Sequence, residues 1–286
     1  MTHTPHAAYQ HAYYDRHYGA RVAAVHEQLA HPMFRSFYDR LAGRVLDGVA
    51  MGPVDPPAST NGHGKGPLRV FEVGCGEGFL GAAILRVAEA RGLPLRYSGT
   101  DLSPAVLDLA RPQLGDSLFA GDGVEVLAAL PGGSADVVVV KNVLHHLDDP
   151  AALLREAVRV VGPTGRVAVV EARIVAPQFL VFCGLAPRRE RYIFKGPGRN
   201  RAALADAGLT VTSAQRFSWL PFEPLFLIRP GWFRRLLSTA DGRALGRVAR
   251  LDDRLARLIP GLACYDVWVA APRSAASPSP SGTNSK

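Results

Sequence analysis

The sequence has few cysteines and no long apolar run. Its three cysteines, Cys75, Cys183 and Cys264, lie far apart and form no pair with the spacing of a metal site or a redox motif. That usage fits a reduced compartment. No stretch is long and apolar enough to span a membrane, and the polar, aromatic N-terminus lacks the apolar core of a signal peptide. The sequence therefore predicts a cytoplasmic protein without a metal centre.

Lysine is also scarce, since only four of the 33 basic residues are lysine and the rest are arginine. The formal net charge is +8, and residues 186–260 hold fifteen basic against six acidic residues, a local charge of +9. Surfaces rich in arginine favour phosphates, carboxylates or anionic lipid head groups. A genome rich in G and C also encodes arginine often, so the charge alone selects no partner.

The order of the predicted elements indicates an α/β fold. At 286 residues the chain suits one large domain or two small ones. Residues 1–51 are predicted to form a helical lid, 52–67 a flexible linker and 273–286 a disordered tail. Between linker and tail, residues 68–272 alternate strands with helices, which predicts a doubly wound, mostly parallel sheet covered on both faces.

The stretch VFEVGCGEGFLG, residues 70–81, contains a glycine-rich loop after the first predicted strand. In an open parallel sheet, ligands bind at the carboxyl ends of the strands, beside this first turn. Glycine allows positive φ and lets a ligand approach the backbone closely. Gly76, Gly78 and Gly81 also match the dinucleotide fingerprint G-x-G-x-x-G, and Asp101 after the second strand can hold a ribose. A nicotinamide-dependent oxidoreductase is therefore one alternative.

Other residues at the same edge favour a cationic ligand. Glu72 stands two residues before the first glycine, where a carboxylate would repel a pyrophosphate but attract an ammonium or sulfonium group. Asp122, after the third strand, can accept a hydrogen bond from an adenine amino group, although Asp followed by Gly is also an ordinary turn pair. Asn142 and two histidines follow the fourth strand, at the expected mouth of the pocket.

Together, the motifs EVGCGEG, GTDLS, AGDG, NVLHHL and GPTGRVAVVE resemble those of the class I S-adenosylmethionine-dependent methyltransferases. The chain looks closest to the branch of ubiquinone and menaquinone biosynthesis enzymes and natural-product methyltransferases. The resemblance covers about residues 68–172 and the last two strands. It implies a seven-stranded, Rossmann-like sheet whose last strand lies antiparallel beside strand five, with S-adenosylmethionine as the cofactor.

The resemblance also implies which residues contact the cofactor. The loop Gly74–Gly78 would contact the methionine part, Asp101 the ribose, and Leu102 and Asp122 the adenine. The lid would contribute an aromatic residue, Tyr18. The full set of predicted cofactor-binding residues is Tyr18, Glu72, Gly74, Cys75, Gly76, Gly78, Asp101, Leu102, Asp122, Gly123 and Asn142.

A catalytic base is expected at the same edge. His145 and His146 follow strand four, and Glu171 ends strand five, the neighbouring strand in this fold. By resemblance to natural-product methyltransferases, one histidine would accept a proton from the acceptor and Glu171 would orient it. Histidine suits this role because it can be a neutral base near pH 7. The alternatives are a solvated histidine pair and a Glu171 that pairs with Arg173 or Arg199.

Two segments, 176–198 and 218–261, are aromatic and apolar and are predicted to cap the substrate site. We therefore expect methyl transfer to an oxygen or carbon of a small, largely hydrophobic acceptor with room for an anionic end, such as a secondary metabolite, quinone or lipid precursor. An RNA or protein methyltransferase that uses the basic segment is the main alternative, although no nucleic-acid signature accompanies the charge. A protein that keeps the cofactor for a structural purpose is another alternative.

A helical pattern over residues 232–259 carries two stripes. The apolar stripe is predicted to pack the insertion onto the sheet, and the arginines to form a solvated face partly neutralised by Asp253. A basic amphipathic helix can instead lie on an anionic membrane surface. The apolar stripe is Leu237, Ala240, Ala244, Val248, Leu251, Leu255 and Leu258, and the basic stripe is Arg243, Arg247, Arg250, Arg254 and Arg257.

Overall fold

The computed structural model describes residues 31–50, 66–173, 176–177, 198–223, 225 and 242–273. The first part of the predicted lid, with Tyr18, lies outside the described residues. So do most of the linker and the tail, most of the predicted cap segment 176–198, and residues 226–241 of the second cap segment.

Strands and helices alternate along the chain, as the sequence pattern predicts. The strands are β1 (Leu68–Val73), β2 (Leu95–Asp101), β3 (Leu118–Ala120), β4 (Val137–Lys141), β5 (Arg166–Ala172), β6 (Leu209–Phe217) and β7 (Tyr265–Pro272). The helices are α1 (Pro32–Ala50), α2 (Phe79–Ala90), α3 (Pro104–Leu114), α4 (Gly123–Ala129), α5 (Pro150–Val161), α6 (Arg199–Asp206) and α7 (Gly242–Leu258), and short 3-10 turns occupy Leu144–His146 and Pro260–Leu262. The sequence pattern does not predict α4, because seven residues are too few to show helical periodicity.

The seven described strands form one sheet in the order β3-β2-β1-β4-β5-β7-β6. The pairs among β1 to β5 are parallel, whereas β7 pairs antiparallel with both β5 and β6. The strand order reverses between β1 and β4, so the carboxyl ends of these strands flank the switch point at which open α/β sheets bind ligands. The predicted doubly wound sheet, with an antiparallel last strand beside β5, is confirmed.

Apolar residues cover both faces of the sheet. One face packs against α1, α2 and α3 around Phe37 and Leu80, and the other packs against α5 and α6 around Leu154. β4 consists almost entirely of valine because both of its faces are covered. Ser103 caps α3 and Asp149 caps α5, each directly before a proline whose fixed φ suits the first helical position.

Helix α1 belongs to the same core as the sheet. Phe37 and Leu41 are fully buried, and the ring of Phe37 packs against Phe217, Phe222 and Tyr265 from the C-terminal half of the chain. The described part of the predicted lid is therefore a fixed helix on the last two strands. The lid role of residues 1–30 stays a prediction.

Helix α7 packs only in part through the predicted apolar stripe, of which Val248 contacts the core. Asp252 and Ala256 are buried, whereas Leu251 and Leu258 of the predicted apolar stripe are exposed. The prediction that these two leucines pack the insertion is wrong, because the polar partners of Asp252 draw the opposite side of the helix inward. Asp253 faces α1 rather than the arginine stripe that it was expected to neutralise. Within the described ranges, no helix combines the length and the apolarity needed to cross a bilayer.

Asp252 anchors α7 to the turn that follows β6. Ser218 in that turn has φ of +54°, a left-handed conformation that residues other than glycine rarely adopt. The carboxylate of Asp252 holds the turn in place and also meets a charge from α1. Its donors are Ser218 Oγ at 3.1 Å, the amides of Trp219 and Leu220, each at 2.8 Å, and Arg40 Nη1 at 3.0 Å.

We predict that Asp252→Ala lowers the free energy of unfolding by about 3–5 kcal/mol, because it leaves buried donors and part of the Arg40 charge without a partner. The matched control is Asp253→Ala at the next position. The half-buried Asp253 pairs with Arg40 and Arg44 and keeps contact with water, so its loss should cost about 1 kcal/mol, less than the loss of the fully buried Asp252. Urea denaturation of both variants measures the difference, and equal losses would contradict the anchoring role.

Candidate active site

The glycine loop leaves β1 and lies against the end of β2. The amides of Gly74 and Cys75 both donate to the carbonyl oxygen of Thr100, at 2.8 and 2.9 Å. Gly74, Gly76 and Gly78 have φ of +69, +54 and +82°, which glycine adopts without strain. The shape of the loop therefore depends on glycine at alternate positions.

The three glycines have different neighbours. A side chain at Gly74 would overlap Val143, and a Cβ at Gly78 would lie 2.8 Å from Leu114. A Cβ at Gly76 would meet nothing within 4 Å. Packing inside the protein thus accounts for Gly74 and Gly78, whereas Gly76 faces open space at the edge where such sheets bind ligands.

Asp101 closes this loop from the side of β2. Its Oδ2 accepts a hydrogen bond from the amide of Gly76 at 2.9 Å, and its Oδ1 accepts one from the amide of Ser103 at 3.1 Å. The carboxylate thereby fixes both the glycine loop and the turn into α3. Leu102, in the same turn, is half-buried. Contact of Asp101 with a ribose, and of Leu102 with an adenine, stay predictions.

Asp122 is the N-cap of α4. Its Oδ1 accepts hydrogen bonds from the amides of Val124 and Glu125, at 2.8 and 3.3 Å. Gly123 follows it because a Cβ there would come within 2.5 Å of Val73 at the end of β1. Capping and packing are thus sufficient to explain the Asp-Gly pair, and the contact of Asp122 with adenine stays a prediction.

Glu72 is a buried acid at the base of the loop. Its Oε2 accepts a hydrogen bond from Tyr97 Oη at 2.7 Å. Burial raises the pKa of Glu72 to about 7, although the hydrogen bond from Tyr97 and the charge of Lys141 act to lower it and Asp101 acts to raise it. Burial and the neighbouring Glu72 charge raise the pKa of Tyr97 well above its usual value, so the phenol keeps its proton. A cation bound beside Glu72 would favour its charged form.

Tyr97 also explains the third glycine of the dinucleotide fingerprint. A Cβ at Gly81 would overlap the Tyr97 ring. Helix α2 therefore needs glycine at this position in order to lie close to β2. Close packing of this helix on the sheet is also the role of the third glycine in the dinucleotide fingerprint, so Gly81 does not distinguish between the two cofactors.

His145 and Glu171 meet where β4 and β5 end. His145 Nδ1 lies 2.7 Å from Glu171 Oε2, and the amide of Leu144 donates to Glu171 Oε1 at 2.8 Å. Both side chains of the pair are buried. The ring centroid of His146 is 4.0 Å from that of His145. Of the two histidines, His145 is thus the one that contacts Glu171.

The arginines considered as partners for Glu171 bind elsewhere. Arg173 Nη1 donates to three backbone oxygens within residues 260–263, at 2.8 to 3.1 Å. Arg199 Nη2 donates to the backbone oxygens of Leu147 and Asp148, at 2.5 and 2.6 Å. The arginine alternative is therefore wrong, while the catalytic role of the histidine–glutamate pair stays a prediction.

The sequence pattern does not predict that Glu223, in the segment after β6, lies at this edge. Burial alone would raise the pKa of Glu223, but the charge of Lys141 and the hydrogen bonds that the carboxylate accepts outweigh burial and lower it. Lys141 is 82 positions away in the sequence, so no local motif marks the pair. The donors are Lys141 Nζ at 2.6 Å, Tyr265 Oη at 2.7 Å, Asn142 Nδ2 at 3.3 Å and Tyr38 Oη.

Asn142 connects the Glu223 cluster to the sheet. It has φ of +54°, which is uncommon for a residue with a side chain. Its Oδ1 accepts a hydrogen bond from the amide of Ala172 at the end of β5, while its Nδ2 donates to Glu223. Both ends of the amide are therefore used, and Asn142 is fixed between β4 and β5 at the candidate site.

Two other residues, one predicted to bind the cofactor and one to line the substrate site, are buried in the core. Cys75 is buried in the glycine loop, and burial raises the pKa of its thiol, which stays protonated. Phe222 of the second predicted cap segment is buried against α1. Most other aromatic residues of the predicted caps lie outside the described residues. Among the residues that are described, no three His, Cys, Asp or Glu side chains gather as a metal site.

Comparison with known sequences shows that this chain is similar to methyltransferases. A family model described as a methyltransferase domain matches residues 71–169. The chain is 33% identical over 170 residues to the ubiquinone biosynthesis O-methyltransferase of Xanthomonas axonopodis pv. citri (strain 306), across 54% of this chain and 68% of the relative. It is 34% identical over 102 residues to the same enzyme of Xanthomonas oryzae pv. oryzae (strain PXO99A), across 34% of this chain and 40% of that relative. The match thus spans less than half the length of several relatives.

Solved structures share the fold. A structure of a SAM-dependent methyltransferase from Archaeoglobus fulgidus is 16% identical, with a TM-score of 0.51, and the match covers 83% of this chain and 94% of that chain. The structure of the cyclase SpnF is 19% identical, with a TM-score of 0.51, and the match covers 82% of this chain and 80% of that chain. At such identities the likeness concerns the fold alone.

We predict that Glu72 makes the free energy of unfolding depend on pH. Between the ordinary pKa of 4.5 and about 7, the folded protein holds a proton on Glu72 that the unfolded chain has released. The contribution of Glu72 to stability is therefore greatest below pH 4.5, falls as the pH rises and levels off above about pH 7, with a total loss of about 3 kcal/mol. Glu72→Gln, which stays neutral, lacks this loss.

Urea denaturation of the protein and of Glu72→Gln, at several pH values from about 4.5 to 8, measures the effect. The exposed Glu125 provides the control Glu125→Gln, which removes an acid at the protein surface. A stability difference between the protein and Glu72→Gln that stays constant over this range would show that the pKa of Glu72 is not raised.

Proposed function

The chain belongs to the class I S-adenosylmethionine-dependent methyltransferases, and we propose that it transfers a methyl group from S-adenosylmethionine to an oxygen or carbon of a small, largely hydrophobic acceptor. The observation that carries this proposal is the open space at Gly76, beside the carboxylate of Asp101, at the carboxyl edge of the sheet. The names of the matched relatives, ubiquinone biosynthesis O-methyltransferases, favour an oxygen nucleophile.

The charges at this edge fit the cofactor. Its sulfonium and amino groups are cations, and Glu72 and Asp101 place two carboxyl groups beside the glycine loop. Positive φ at Gly76 brings the backbone to the surface of the open space without a side chain in the way. We assign the methionine part to Gly74–Gly78, the ribose to Asp101, the adenine to Leu102 and Asp122, and neighbouring contacts to Asn142 and, outside the described residues, Tyr18.

When bound, S-adenosylmethionine supplies an electrophilic methyl group carried by a sulfonium. The chain itself has to align the acceptor and take up its proton. In the neutral tautomer in which His145 Nδ1–H donates a hydrogen bond to Glu171 Oε2, the lone pair of Nε2 can accept a proton from an acceptor hydroxyl. Glu171 then stabilises the imidazolium, and the amide of Leu144 holds its second oxygen in place.

The acceptor is proposed to be a secondary metabolite, a quinone or a lipid precursor. The aromatic residues of the two predicted cap segments other than Phe222 are its expected walls, and arginines among them would suit an anionic end. No specific observation favours RNA or protein as the substrate.

We predict that the protein binds S-adenosylhomocysteine and that Asp101→Ala weakens this binding by about 5- to 150-fold, since a buried polar group left unsatisfied costs about 1–3 kcal/mol. Titration calorimetry with the full-length protein measures both affinities. The matched control is Asp108→Ala, an exposed aspartate on α3, which should bind like the unmodified protein.

Two results would contradict this assignment. Tight binding of NAD with no response to S-adenosylhomocysteine would overturn the proposed cofactor. An unchanged affinity in Asp101→Ala would remove Asp101 from the cofactor site while leaving the family of the chain untouched.

We predict that His145→Ala lowers kcat by roughly 10²–10⁴, the usual contribution of a general base, and leaves the affinity for S-adenosylhomocysteine unchanged. His146→Ala is the matched control, because His146 neighbours the pair but the Glu171 contact is made by His145. The measurement is transfer of a tritium-labelled methyl group to a panel of lipophilic phenols and hydroxyquinones. If His145→Ala, His146→Ala and Glu171→Gln all keep near-normal turnover, the acceptor needs no base from the protein. These three residues are then not catalytic.

A further inference from the structure

Helix α7 presents a cluster of large apolar residues to solvent. Leu251 is 56% exposed and Leu258 is 77% exposed, and Ile259, directly after the helix, is 45% exposed. Elsewhere in the described chain, the exposed large apolar residues are Leu93 and Phe119. Three of these five residues therefore fall within nine consecutive positions. Single exposed leucines are ordinary, but a cluster of them indicates an interaction surface.

Arginines lie beside these leucines. Four of them recur at three- and four-residue steps along α7, and all four are exposed. The two acids in the sequence of α7 point the other way, since Asp252 is buried and Asp253 pairs with α1. The outward side of α7 thus carries four positive charges and no carboxylate of its own. We call this surface the arginine–leucine face; it consists of Arg247, Arg250, Leu251, Arg254, Arg257 and Leu258.

Burial inside the protein does not explain this composition. The side of α7 that packs onto the protein uses Asp252, Ala256 and the half-buried Val248. The larger leucines are left outside, although leucine would bury more apolar area than alanine. A helix whose apolar and basic residues are both turned outward has the composition of one that lies in the interface of a membrane.

We propose that the arginine–leucine face attaches the protein to the surface of an anionic lipid bilayer. The leucines would enter the boundary between head groups and acyl chains, and the arginines would bind lipid phosphates. Guanidinium groups suit this partner because they bind phosphate oxygens through paired hydrogen bonds. A nucleic acid also attracts arginine, but its single strands are bound by aromatic residues on which bases stack, and leucine provides no such contact.

The chain that follows the arginine–leucine face leads towards the candidate active site. The chain passes from α7 through Pro260–Leu262 into β7, whose first residue, Tyr265, pairs with Ala172 at the carboxyl end of β5. Arg173 holds this connection through its hydrogen bonds to backbone oxygens within residues 260–263. A bilayer bound at Leu258 would therefore lie on the same side as the end of β5. The inference goes beyond the proposed function, because it concerns where the protein works and not what it transfers.

Flotation of the full-length protein with lipid vesicles tests the proposal. The protein should float with phosphatidylcholine vesicles that contain about one third phosphatidylglycerol. Binding should be at least about ten-fold weaker to phosphatidylcholine alone, and also at about 1 M salt, where the screening length shrinks to about 3 Å. Methyl transfer is not part of this readout, so a failure of the proposed function would leave the result unchanged.

Two double variants separate the charge from the apolar contact. Arg247→Gln with Arg254→Gln should weaken binding to anionic vesicles by about 25-fold, or about five-fold per arginine. Leu251→Ser with Leu258→Ser should weaken it by at least about ten-fold. The matched controls are Arg96→Gln and Leu93→Ser, exposed residues elsewhere on the protein, which should bind normally. Because every changed side chain is exposed, all variants should keep the thermal unfolding midpoint of the unmodified protein.

Three outcomes would overturn the proposal. The first is a protein that does not float with anionic vesicles at low salt. The second is flotation that both α7 variants retain in full. The third is binding of single-stranded RNA, without vesicle binding, that the arginine variant abolishes; the face would then be a nucleic-acid surface.

Discussion

Three glutamates lie at the carboxyl edge of the sheet, and the structure of the site depends on how the protein accommodates each of them. A carboxylate taken out of water must be paired, or it loses its charge. Each glutamate meets this requirement in a different way. Glu72 has a raised pKa and a hydrogen bond from Tyr97, and Glu171 is paired with His145. Glu223 has a lowered pKa because the charge of Lys141 and the hydrogen bonds from Lys141 and two tyrosines outweigh burial. The edge thus holds one titratable acid, one acid that orients a histidine and one that stays charged.

The hydrogen bonds and ion pairs of these glutamates also determine which parts of the chain come together. Glu171 ties the end of β5 to the turn after β4, through His145 and the amide of Leu144. Glu223 collects donors from α1, β4 and β7, so the N-terminal helix and the last strand are held at the same edge. Tyr97 reaches Glu72 only because Gly81 leaves room for its ring. The open space at Gly76 lies beside the carboxylate of Asp101, which hydrogen bonds to the glycine loop and to the turn into α3 hold in place.

Much of this arrangement follows from local pattern. The alternating strands, the positive φ of the glycine loop and the pairing of Glu171 with a histidine can all be predicted, because each depends on short spacing or on the order of neighbouring parallel strands. Glu223 cannot be found in this way, because its partners are distant in sequence and meet only after the sheet closes. The apolar stripe of α7 misleads for a related reason. Helical spacing shows which leucines share a face, but the buried Asp252 decides which face turns inward.

We place S-adenosylmethionine at the carboxyl edge between β1 and β4. A crystal structure of the full-length protein grown with S-adenosylhomocysteine tests this placement most directly. We expect density for the methionine part along Gly74–Gly78 and for the ribose within hydrogen-bonding distance of the Asp101 carboxylate. Density for the ligand at another place in the protein, with the glycine loop and Asp101 making no contact to it, would show that this edge is not the cofactor site.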